Sequence, residues 1–247
     1  MRLFGLIGKK LGHSFSQQYF TDKFEKLSLN DHRYQLFELS SIHDLPDLIH
    51  NNPQLAGLNV TIPYKEEVIS LLDSIDEQAE AIGAVNVVKI ENGKLHGFNS
   101  DYYGFKTSLQ NWLPGDIKDL KALILGTGGA SKAVAAALQS LNIPYSFVSR
   151  SVERYGLTYQ HLMDDQEILI HHKLIINTTP LGMYPNLVDA PELPYHRLSP
   201  QYYLYDLVYN PEITIFMNKG AAVGANTMNG LAMLHLQAEK SWDIWNG

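Results

Sequence analysis

Short apolar stretches alternate with longer segments of helical periodicity along most of the chain. Runs rich in Val, Ile, Leu and aromatic residues predict strands, and apolar residues three and four positions apart predict helices. The predicted strands are residues 2–8, 32–39, 55–62, 85–90, 95–99, 121–126, 145–149, 174–178 and 203–208. The predicted helices are residues 16–27, 65–72, 101–112, 129–141, 212–222 and 230–245. This alternation indicates an α/β fold built largely from parallel strands.

Two local features divide this pattern. Asn92-Gly93 lies between two predicted strands and is typical of a tight hairpin, so at least one strand pair should be antiparallel. Residues 113–116 read Leu-Pro-Gly-Asp and separate the first half from a new strand–helix–strand unit. We therefore expect an amino-terminal α/β domain followed by a nucleotide-binding domain.

Composition narrows the classes of function. The chain has 247 residues, a net charge of −7 and 45% hydrophobic residues, which argues for a globular protein and against nucleic acid or membranes as partners. It has no cysteine, which excludes disulfides and cysteine-based zinc sites, and its histidines show no metal-ligand spacing. The apolar run at residues 3–7 is too short for a signal peptide, and no stretch is long enough to span a bilayer. We expect a cytoplasmic protein that needs no metal.

A glycine-rich loop follows the predicted strand 121–126 and opens an alanine-rich helix. Glycines would permit a tight turn here and let backbone N–H groups approach a pyrophosphate at the helix amino terminus. The loop residues are Gly126, Thr127, Gly128, Gly129 and Ala130. The third small position of the dinucleotide fingerprint is Ser131 rather than glycine or alanine. A glycine-rich turn without a ligand is the alternative, but the flanking strand and helix favour a dinucleotide site.

The end of the next strand favours NADP over NAD. An NAD site commonly has an acidic residue at this point for the ribose hydroxyls. Here the strand ends with Ser149, Arg150 and Ser151, and Arg154 follows shortly after. Arginines can hold a 2′-phosphate by charge-assisted hydrogen bonds. The opposing arguments are the nearby Glu153 and the fact that most arginines are simply exposed to solvent.

Polar residues follow the strands of the amino-terminal half, at the edge where open α/β sheets bind ligands. The candidates are Ser14, Ser16, Thr61, Lys65, Asn86 and Asp101. Each has a structural alternative, because the serines and Asp101 could cap helices, Asn86 could serve a turn, and Lys65 could be a surface lysine. Lys65, however, would lie in the first turn of the predicted helix 65–72, where the helix dipole disfavours a cation. That position indicates a functional use.

The motifs that contain these residues resemble those of the shikimate dehydrogenase family. They are H-S-x-S at residues 13–16, N-V-T-x-P-x-K at 59–65, G-A-x-N at 83–86 and G-x-N-x-D-x-x-G at 97–104. The resemblance continues through residues 126–130, 149–154, 177–183, 206–211 and 230–237. Gln17 and Ser100 replace a proline and a threonine of the family pattern, and Ser149-Arg150-Ser151 replaces N-R-T.

The resemblance implies an enzyme that reduces 3-dehydroshikimate to shikimate with NADPH, on the chorismate route to aromatic amino acids. It implies a substrate domain of residues 1–100 and 229–247, to which the last helix returns, and a Rossmann-like NADP domain of residues 101–228. The proton chemistry would belong to Lys65 and Asp101. The small-molecule substrate would be the only ligand besides NADP, bound to a monomer or homodimer.

The same resemblance implies the binding residues. The substrate residues would be Ser14, Ser16, Thr61, Lys65, Asn86, Asp101, Tyr209 and Gln237. The NADP residues would be Gly126, Thr127, Gly128, Gly129, Ala130, Ser149, Arg150, Ser151, Arg154, Leu207 and Gly230.

Two other functions stay open at this point. The chain could act on quinate, or on both quinate and shikimate, with NAD as an alternative cofactor, although Arg150 argues against NAD. It could also be a non-catalytic ligand-binding protein that retains the fold. Lys65 and Asp101 argue against that hypothesis, because a binding protein needs no proton donor.

Overall fold

The computed structural model describes residues 1–12, 14–115, 119–151 and 156–247. It has the α/β architecture that the sequence pattern predicts. The chain forms two compact units, residues 1–100 with 238–247 and residues 101–237. Residues 229–237, which the sequence analysis placed with the amino-terminal domain, group with the second unit. The assignment of substrate and NADP to the two domains stays a prediction.

The first unit contains a mixed sheet. Its strands are β1 (Arg2–Gly8), β2 (His32–Glu38), β3 (Leu55–Val60), β4 (Ser74–Ile75), β5 (Val87–Glu91) and β6 (Lys94–Phe98). They lie in the order β2-β1-β3-β5-β6-β4, and β5 runs antiparallel to both of its neighbours. The predicted hairpin is confirmed between β5 and β6, where Asn92 and Gly93 have φ angles of 52° and 75°. Two consecutive positive φ angles are what a type I′ turn requires.

Helices cover this sheet and complete its core. They are α1 (Phe15–Lys26), α2 (Leu45–Asn51) and α3 (Glu77–Ile82), with 3₁₀ segments at Ile42–Asp44 and Glu67–Leu71. The end of the last helix also belongs to this unit. There the Trp245 ring packs on β3 so closely that a Cβ on Gly57 would lie 2.3 Å from it. The Trp245 indole donates to the carbonyl of Val88 at 3.1 Å, which fixes the last helix on the sheet.

The predicted helix 65–72 is wrong. Residues 62–66 form a turn, and only Glu67–Leu71 is helical, as a 3₁₀ segment. The Lys65 carbonyl accepts a hydrogen bond from the Val85 N–H at 2.7 Å, and the Ile69 N–H donates to the Glu66 carbonyl at 3.3 Å, the three-residue spacing of a 3₁₀ segment. Lys65 therefore precedes the helical segment, and the helix-dipole argument for its function does not apply.

The second unit is a parallel sheet with Rossmann topology. Its strands are β7 (Ala122–Leu125), β8 (Tyr145–Ser149), β9 (Leu157–Thr158), β10 (Leu174–Asn177), β11 (Tyr203–Asp206) and β12 (Asn226–Met228). The order is β12-β11-β10-β7-β8-β9, so the chain reverses direction across the sheet between β7 and β10. β7 and β10 are buried along their whole length, as their uninterrupted apolar sequences require of central parallel strands.

Helices flank this sheet. They are α4 (Ser100–Trp112), α5 (Gly129–Ser140), α6 (Tyr159–Asp164), α7 (Gln166–His171), α8 (Ile215–Ala221) and α9 (Leu231–Asn246), with a 3₁₀ segment at Tyr195–Arg197. Ser100 and the last residues of α9 count with the first unit. In the part of the chain that the structure describes, no helix combines the length and the apolar character needed to cross a bilayer.

Candidate active site

A chain of polar side chains, all buried except the partly exposed Asn59, lies beside the mixed sheet, and we call it the Asn59 network. It consists of Tyr34, Asn59, Asn86, Ser100 and Ser241. The Tyr34 hydroxyl donates to Asn59 Oδ1 at 2.8 Å, and Asn59 Nδ2 donates to Ser241 Oγ at 2.9 Å. Ser241 Oγ lies 3.2 Å from Ser100 Oγ. Burial raises the pKa of Tyr34, so its phenol stays protonated and able to donate.

The Asn59 network fixes the orientation of Asn86, a predicted substrate residue. Asn86 Oδ1 accepts from the backbone N–H of Ser100 at 2.6 Å, and Asn86 Nδ2 donates to Ser100 Oγ at 3.0 Å. The hydroxyl at position 100 takes part in this pairing, so the replacement of threonine by serine preserves it. A side-chain amide carries two N–H donors, and one of those of Asn86 remains available for another acceptor.

The two predicted carboxylate-binding serines lie at the start of α1. Ser14 occupies the N-cap position, but its side chain makes no capping hydrogen bond, so the capping alternative does not account for it. Ser16 lies in the first turn and hydrogen-bonds the Tyr34 side chain, which joins it to the Asn59 network. Both serines are partly exposed. The Ser16 hydroxyl therefore lies where the Asn59 network reaches solvent.

Lys65 lies in a turn whose backbone is anchored from several sides. β3 ends at Val60, and the next residue, Thr61, donates its N–H to the carbonyl of Ile7 at 2.9 Å. The Tyr64 side chain is buried and donates to the carbonyl of Leu39 at 2.6 Å. Together with the bond from Val85 to the Lys65 carbonyl, these contacts hold the turn rigidly beyond the carboxyl end of β3. The half-buried Lys65 side chain thus starts from a fixed backbone.

Asp101 and Gln237 lie on two helices that pack closely. Asp101 is buried in the first turn of α4, one residue inside its start, where a carboxylate is favoured by the helix dipole. It is therefore not the N-cap residue that the structural alternative required. A Cβ on Gly104 would lie 2.7 Å from the Met233 carbonyl oxygen and 3.1 Å from Gln237 Cβ. Only glycine allows α4 and α9 to come this close, which brings Gln237 beside the first turns of α4.

The glycine-rich loop joins β7 to α5 beside the point where the sheet order reverses. Gly126 has a φ of 103°, which favours glycine, and a Cβ there would lie 2.9 Å from Thr178 Oγ1. Gly128 is the N-cap of α5, and a Cβ there would meet no atom within 4 Å, so the space above it is open. Ser131 is buried and donates to the Gly128 carbonyl at 2.7 Å, which accommodates a serine at the third small position. These residues fit a dinucleotide pyrophosphate at the helix amino terminus.

The end of β8 presents an exposed arginine. The Ser149 hydroxyl donates to the Ser151 carbonyl and accepts from the Ser151 N–H, which closes a tight turn. Arg150, between them, is exposed, and its charge reaches Tyr159 at the start of α6. Arg154 lies outside the described residues. An exposed cation at this strand end fits an anionic group on the adenosine side of a dinucleotide.

A second group of buried polar residues lies at the carboxyl ends of β10 and β11, and we call it the Asp206 network. The carboxylate of Asp206 accepts from Asn177 Nδ2 at 2.9 Å and from the Val208 N–H at 3.1 Å on one oxygen. Its other oxygen accepts from Thr214 Oγ1 at 2.6 Å. The next residue, Leu207, is a predicted NADP contact. A Cβ on Gly230 would lie 2.2 Å from the Leu207 carbonyl oxygen, so this second predicted contact packs directly on the first.

Several residues of these networks were not predicted as site residues from the sequence. They are Tyr34, Asn59, Asn177, Asp206, Thr214 and Ser241. Asn177 and Asp206 could have been found from the sequence, because each is a polar residue at the end of an apolar strand, in Leu-Ile-Ile-Asn177 and Tyr-Leu-Tyr-Asp206. Ser241 gave no signal, because a serine on an amphipathic helix is ordinarily a surface residue.

The chain is similar to known proteins over its full length. Residues 6–88 match the family model of the shikimate dehydrogenase substrate binding domain. The whole chain is 35% identical to the shikimate dehydrogenase (NADP(+)) of Methanococcus aeolicus and covers 92% of it. The crystal structure of shikimate 5-dehydrogenase from Thermus thermophilus, in complex with NADP(H) and shikimate, is 30% identical with a TM-score of 0.83, over all of this chain and 94% of that one. Quinate dehydrogenase from Corynebacterium glutamicum, in complex with NAD, is 26% identical with a TM-score of 0.88, again over all of this chain and 94% of that one.

Proposed function

Because the chain belongs to the shikimate dehydrogenase family, we propose that it catalyses the reversible, NADPH-dependent reduction of 3-dehydroshikimate to shikimate, on the chorismate route to aromatic amino acids. The observation that carries the proposal is the full-length similarity to a shikimate dehydrogenase that uses NADP(+). The retention of Lys65 and Asp101 supports a catalytic rather than a purely binding role, since a binding protein needs no proton donor.

The substrate residues follow from the family motifs. Ser14 and Ser16 bind the substrate carboxylate through their hydroxyls. The ring hydroxyls are bound by Thr61, Lys65, Asn86, Asp101 and Gln237, with Tyr209 nearby. The oriented amide of Asn86, with one N–H donor left over from its pairing with Ser100, supports this role. The Asn59 network holds Asn86 and Ser16 in place before any substrate arrives, which lowers the cost of ordering them on binding.

Lys65 carries the proton. When bound, NADPH supplies the hydride that converts the ring carbonyl to an alkoxide. As an ammonium group, Lys65 stabilises the developing oxyanion and then donates its proton, and in the reverse direction it is the base. Asp101 accepts a hydrogen bond from the neighbouring substrate hydroxyl, which orients the ring for proton transfer. The anchored turn that carries Lys65 supports such alignment, because a misplaced donor loses much of its effect.

The cofactor residues lie in the second unit. The backbone of residues 126–130 binds the pyrophosphate, and Arg150 binds the 2′-phosphate with the help of Ser149 and Ser151. Leu207 and Gly230 make further contacts with NADP. Arg154 belongs to the same proposal, as a second cation near the 2′-phosphate. The open space above Gly128 and the exposed Arg150 are the observations that support it.

Quinate oxidation is the second candidate, favoured by the similarity to a quinate dehydrogenase. Steady-state rates with purified protein separate the candidates when shikimate or quinate is paired with NADP⁺ or NAD⁺. We expect shikimate with NADP⁺ to give the highest kcat/KM. A higher kcat/KM for quinate with NAD⁺ would favour the second candidate, and no turnover in any pair would indicate a binding protein.

Two further points of the proposal concern the protein in the cell. We expect it to act in the cytoplasm, which cell fractionation tests. We expect a monomer or a homodimer, which sedimentation equilibrium tests directly.

A further inference from the structure

The Asp206 carboxylate is a buried charge to which the proposed mechanism gives no task. Asp206 has no exposed surface, and among the described residues it has no ion-pair partner. Three donors surround it instead, from Asn177, Val208 and Thr214. Burying an unpaired carboxylate is unfavourable, and hydrogen bonds only partly offset the loss of water. Because burying Asp206 does not stabilise the fold, we look for a functional reason for its position.

Each of the three donors lies on a different segment. Asn177 ends β10, and its Oδ1 accepts in turn from the N–H and the hydroxyl of Thr179 at 3.0 and 2.6 Å. Val208 lies in the loop after β11. Thr214 is the N-cap of α8 and accepts from the Met217 N–H at 3.3 Å. One carboxylate therefore joins the loop after β10, the loop after β11 and the start of α8.

Those segments carry proposed ligand contacts. Leu207 and Tyr209 flank Val208, and the Leu207 N–H donates to the Asn177 carbonyl at 3.0 Å. Gly230 packs on the Leu207 carbonyl, and its N–H donates to the Val208 carbonyl at 3.1 Å. Val208 therefore links Asp206 to both predicted contacts: its N–H donates to Asp206, its carbonyl accepts from Gly230, and Leu207 is its neighbour in the chain.

We propose that Asp206 is a positioning residue for NADP: its ionised carboxylate accepts from all three segments at once and holds Leu207 and Gly230 in the arrangement that binds the cofactor. The inference rests on the proposed function for its cofactor. A protonated acid offers fewer acceptor sites and adds a donor of its own, so the three segments can no longer be held together in the same way. Cofactor affinity should then fall when Asp206 takes up a proton.

The surroundings place this proton uptake in an accessible pH range. Burial raises the pKa of Asp206 to about 6, against the opposing effect of hydrogen bonds from Thr214, Val208 and Asn177. The titratable group facing it is Tyr195, whose own pKa is raised by burial and by the charge of Asp206. Lys219 Nζ lies 5.1 Å from the Tyr195 ring centre. With its pKa raised, Tyr195 stays uncharged near pH 6.

Calorimetric titration of the full-length protein with NADP⁺ between pH 5.5 and 8 tests the inference. At pH 7.5, Asp206→Asn should weaken NADP⁺ binding about tenfold, the effect expected when one hydrogen bond to a charged group is lost. The 2′-phosphate also titrates near pH 6, so wild type and variant share that part of the pH dependence. The additional weakening of wild type below pH 6.5 should be missing in Asp206→Asn.

Thr214 provides the matched pair of variants. Thr214→Val removes a donor that lowers the pKa of Asp206, so the loss of affinity should begin at a higher pH than in wild type. Thr214→Ser keeps the hydroxyl and should follow the wild-type curve. A purely structural role would lower the melting temperature of Thr214→Val without moving the pH at which NADP⁺ binding is lost.

The outcomes separate the inference from the proposed function. Equal NADP⁺ affinity of wild type and Asp206→Asn at pH 7.5, or parallel curves over the whole pH range, would overturn the inference. The proposed function fails instead if wild type does not oxidise shikimate with NADP⁺, and that assay does not involve either variant.

Discussion

The Asn59 network of the first unit and the Asp206 network of the second both bury polar side chains near strand ends, but only the second contains a charge. In the first, amides and hydroxyls satisfy each other, from Tyr34 through Asn59 and Ser241 to Ser100. In the second, neutral donors surround one carboxylate, whose pKa burial raises to about 6. A neutral network keeps its hydrogen bonds over a wide pH range, whereas a buried carboxylate makes stability and affinity depend on pH.

The difference suits the ligand proposed for each unit. The proposed substrate residues Ser16 and Asn86 would need fixed orientations, and a neutral network supplies them without adding a charge near the proposed position of the substrate carboxylate. The loops at β10 and β11 are held by a group that weakens the fold while it is ionised. Positioning by a destabilising group is common at functional sites and uncommon elsewhere.

The largest expected effect separates the residue that reacts from those that position. Lys65→Met keeps a similar side-chain length but removes the proton and the charge. General acid–base catalysis contributes about 10²–10⁴-fold, so kcat should fall by that order in steady-state assays. The melting temperature should change little, because the turn is anchored by backbone bonds and by Tyr64.

Lys10→Met is the control for this variant, since Lys10 is an exposed lysine outside the proposed site. Its kcat should equal that of wild type. If Lys65→Met also retained near wild-type turnover, the proton donor would have to be another group.

The second effect concerns the cost of burying Asp206. Its pKa is about 6 in the folded protein against the ordinary value of 3.8, so between these values the folded state binds more protons than the unfolded state. Stability from this group is therefore fully present below about pH 4 and is lost as the pH rises to about 6. At 1.36 kcal/mol for each pKa unit, the loss totals about 3 kcal/mol. Asp206→Asn lacks the charge and should escape this loss.

Thermal unfolding at several pH values measures this pH-dependent loss of stability. The stability of Asp206→Asn relative to wild type should increase from pH 5 to pH 8, even though the variant binds NADP⁺ more weakly at the upper end. A constant difference between the two proteins would contradict the raised pKa of Asp206.

The third effect tests the other charged contact of the second unit. Arg150→Ala removes the charge-assisted contact proposed for the 2′-phosphate, and such a contact is worth about 1.5–3 kcal/mol, or roughly ten- to a hundredfold in affinity. NADPH binding should weaken by that factor and NADH binding should hardly change, as measured by fluorescence titration. Arg197→Ala, an exposed arginine whose side chain contacts the Met163 carbonyl, should leave both affinities unchanged. Equal weakening of NADPH and NADH by Arg150→Ala would remove the reason for preferring NADP.

The elements that were predicted correctly depend on short-range chemistry. The hairpin at Asn92-Gly93 and the glycine turn after β7 need particular backbone angles, and the residues at those positions are the ones that supply them. The parallel strands of the second unit follow from uninterrupted apolar runs. These signals lie within a few residues of the element they determine.

The features that were missed depend on partners far away in the chain. Lys65 lies in a turn, and its carbonyl accepts a hydrogen bond from Val85 that no local pattern indicates. Asn59 and Ser241 are separated by 182 positions, so neither residue reveals the other. The raised pKa of Asp206 results from burial between strands, which a sequence indicates only through a polar residue closing an apolar run. The roles of the predicted site residues themselves stay predictions.

The smallest expected effect tests whether the Asn59 network is indifferent to pH. Ser241→Ala removes the acceptor of Asn59 Nδ2, and leaving a buried donor without its partner destabilises proteins by about 1–3 kcal/mol. We expect the lower end, about 1 kcal/mol, because Asn59 Nδ2 also reaches the Asn86 carbonyl at 3.4 Å and can shift toward it. Ser140→Ala, an exposed serine bonded to the Ala137 carbonyl, is the control and should be nearly neutral. Denaturant unfolding should give the same loss for Ser241→Ala at pH 5.5 and at pH 8, because no member of the Asn59 network changes charge in this range. A loss that varied with pH as that of Asp206→Asn does would show that a charged group acts on the Asn59 network, and the contrast between the two networks would then be wrong.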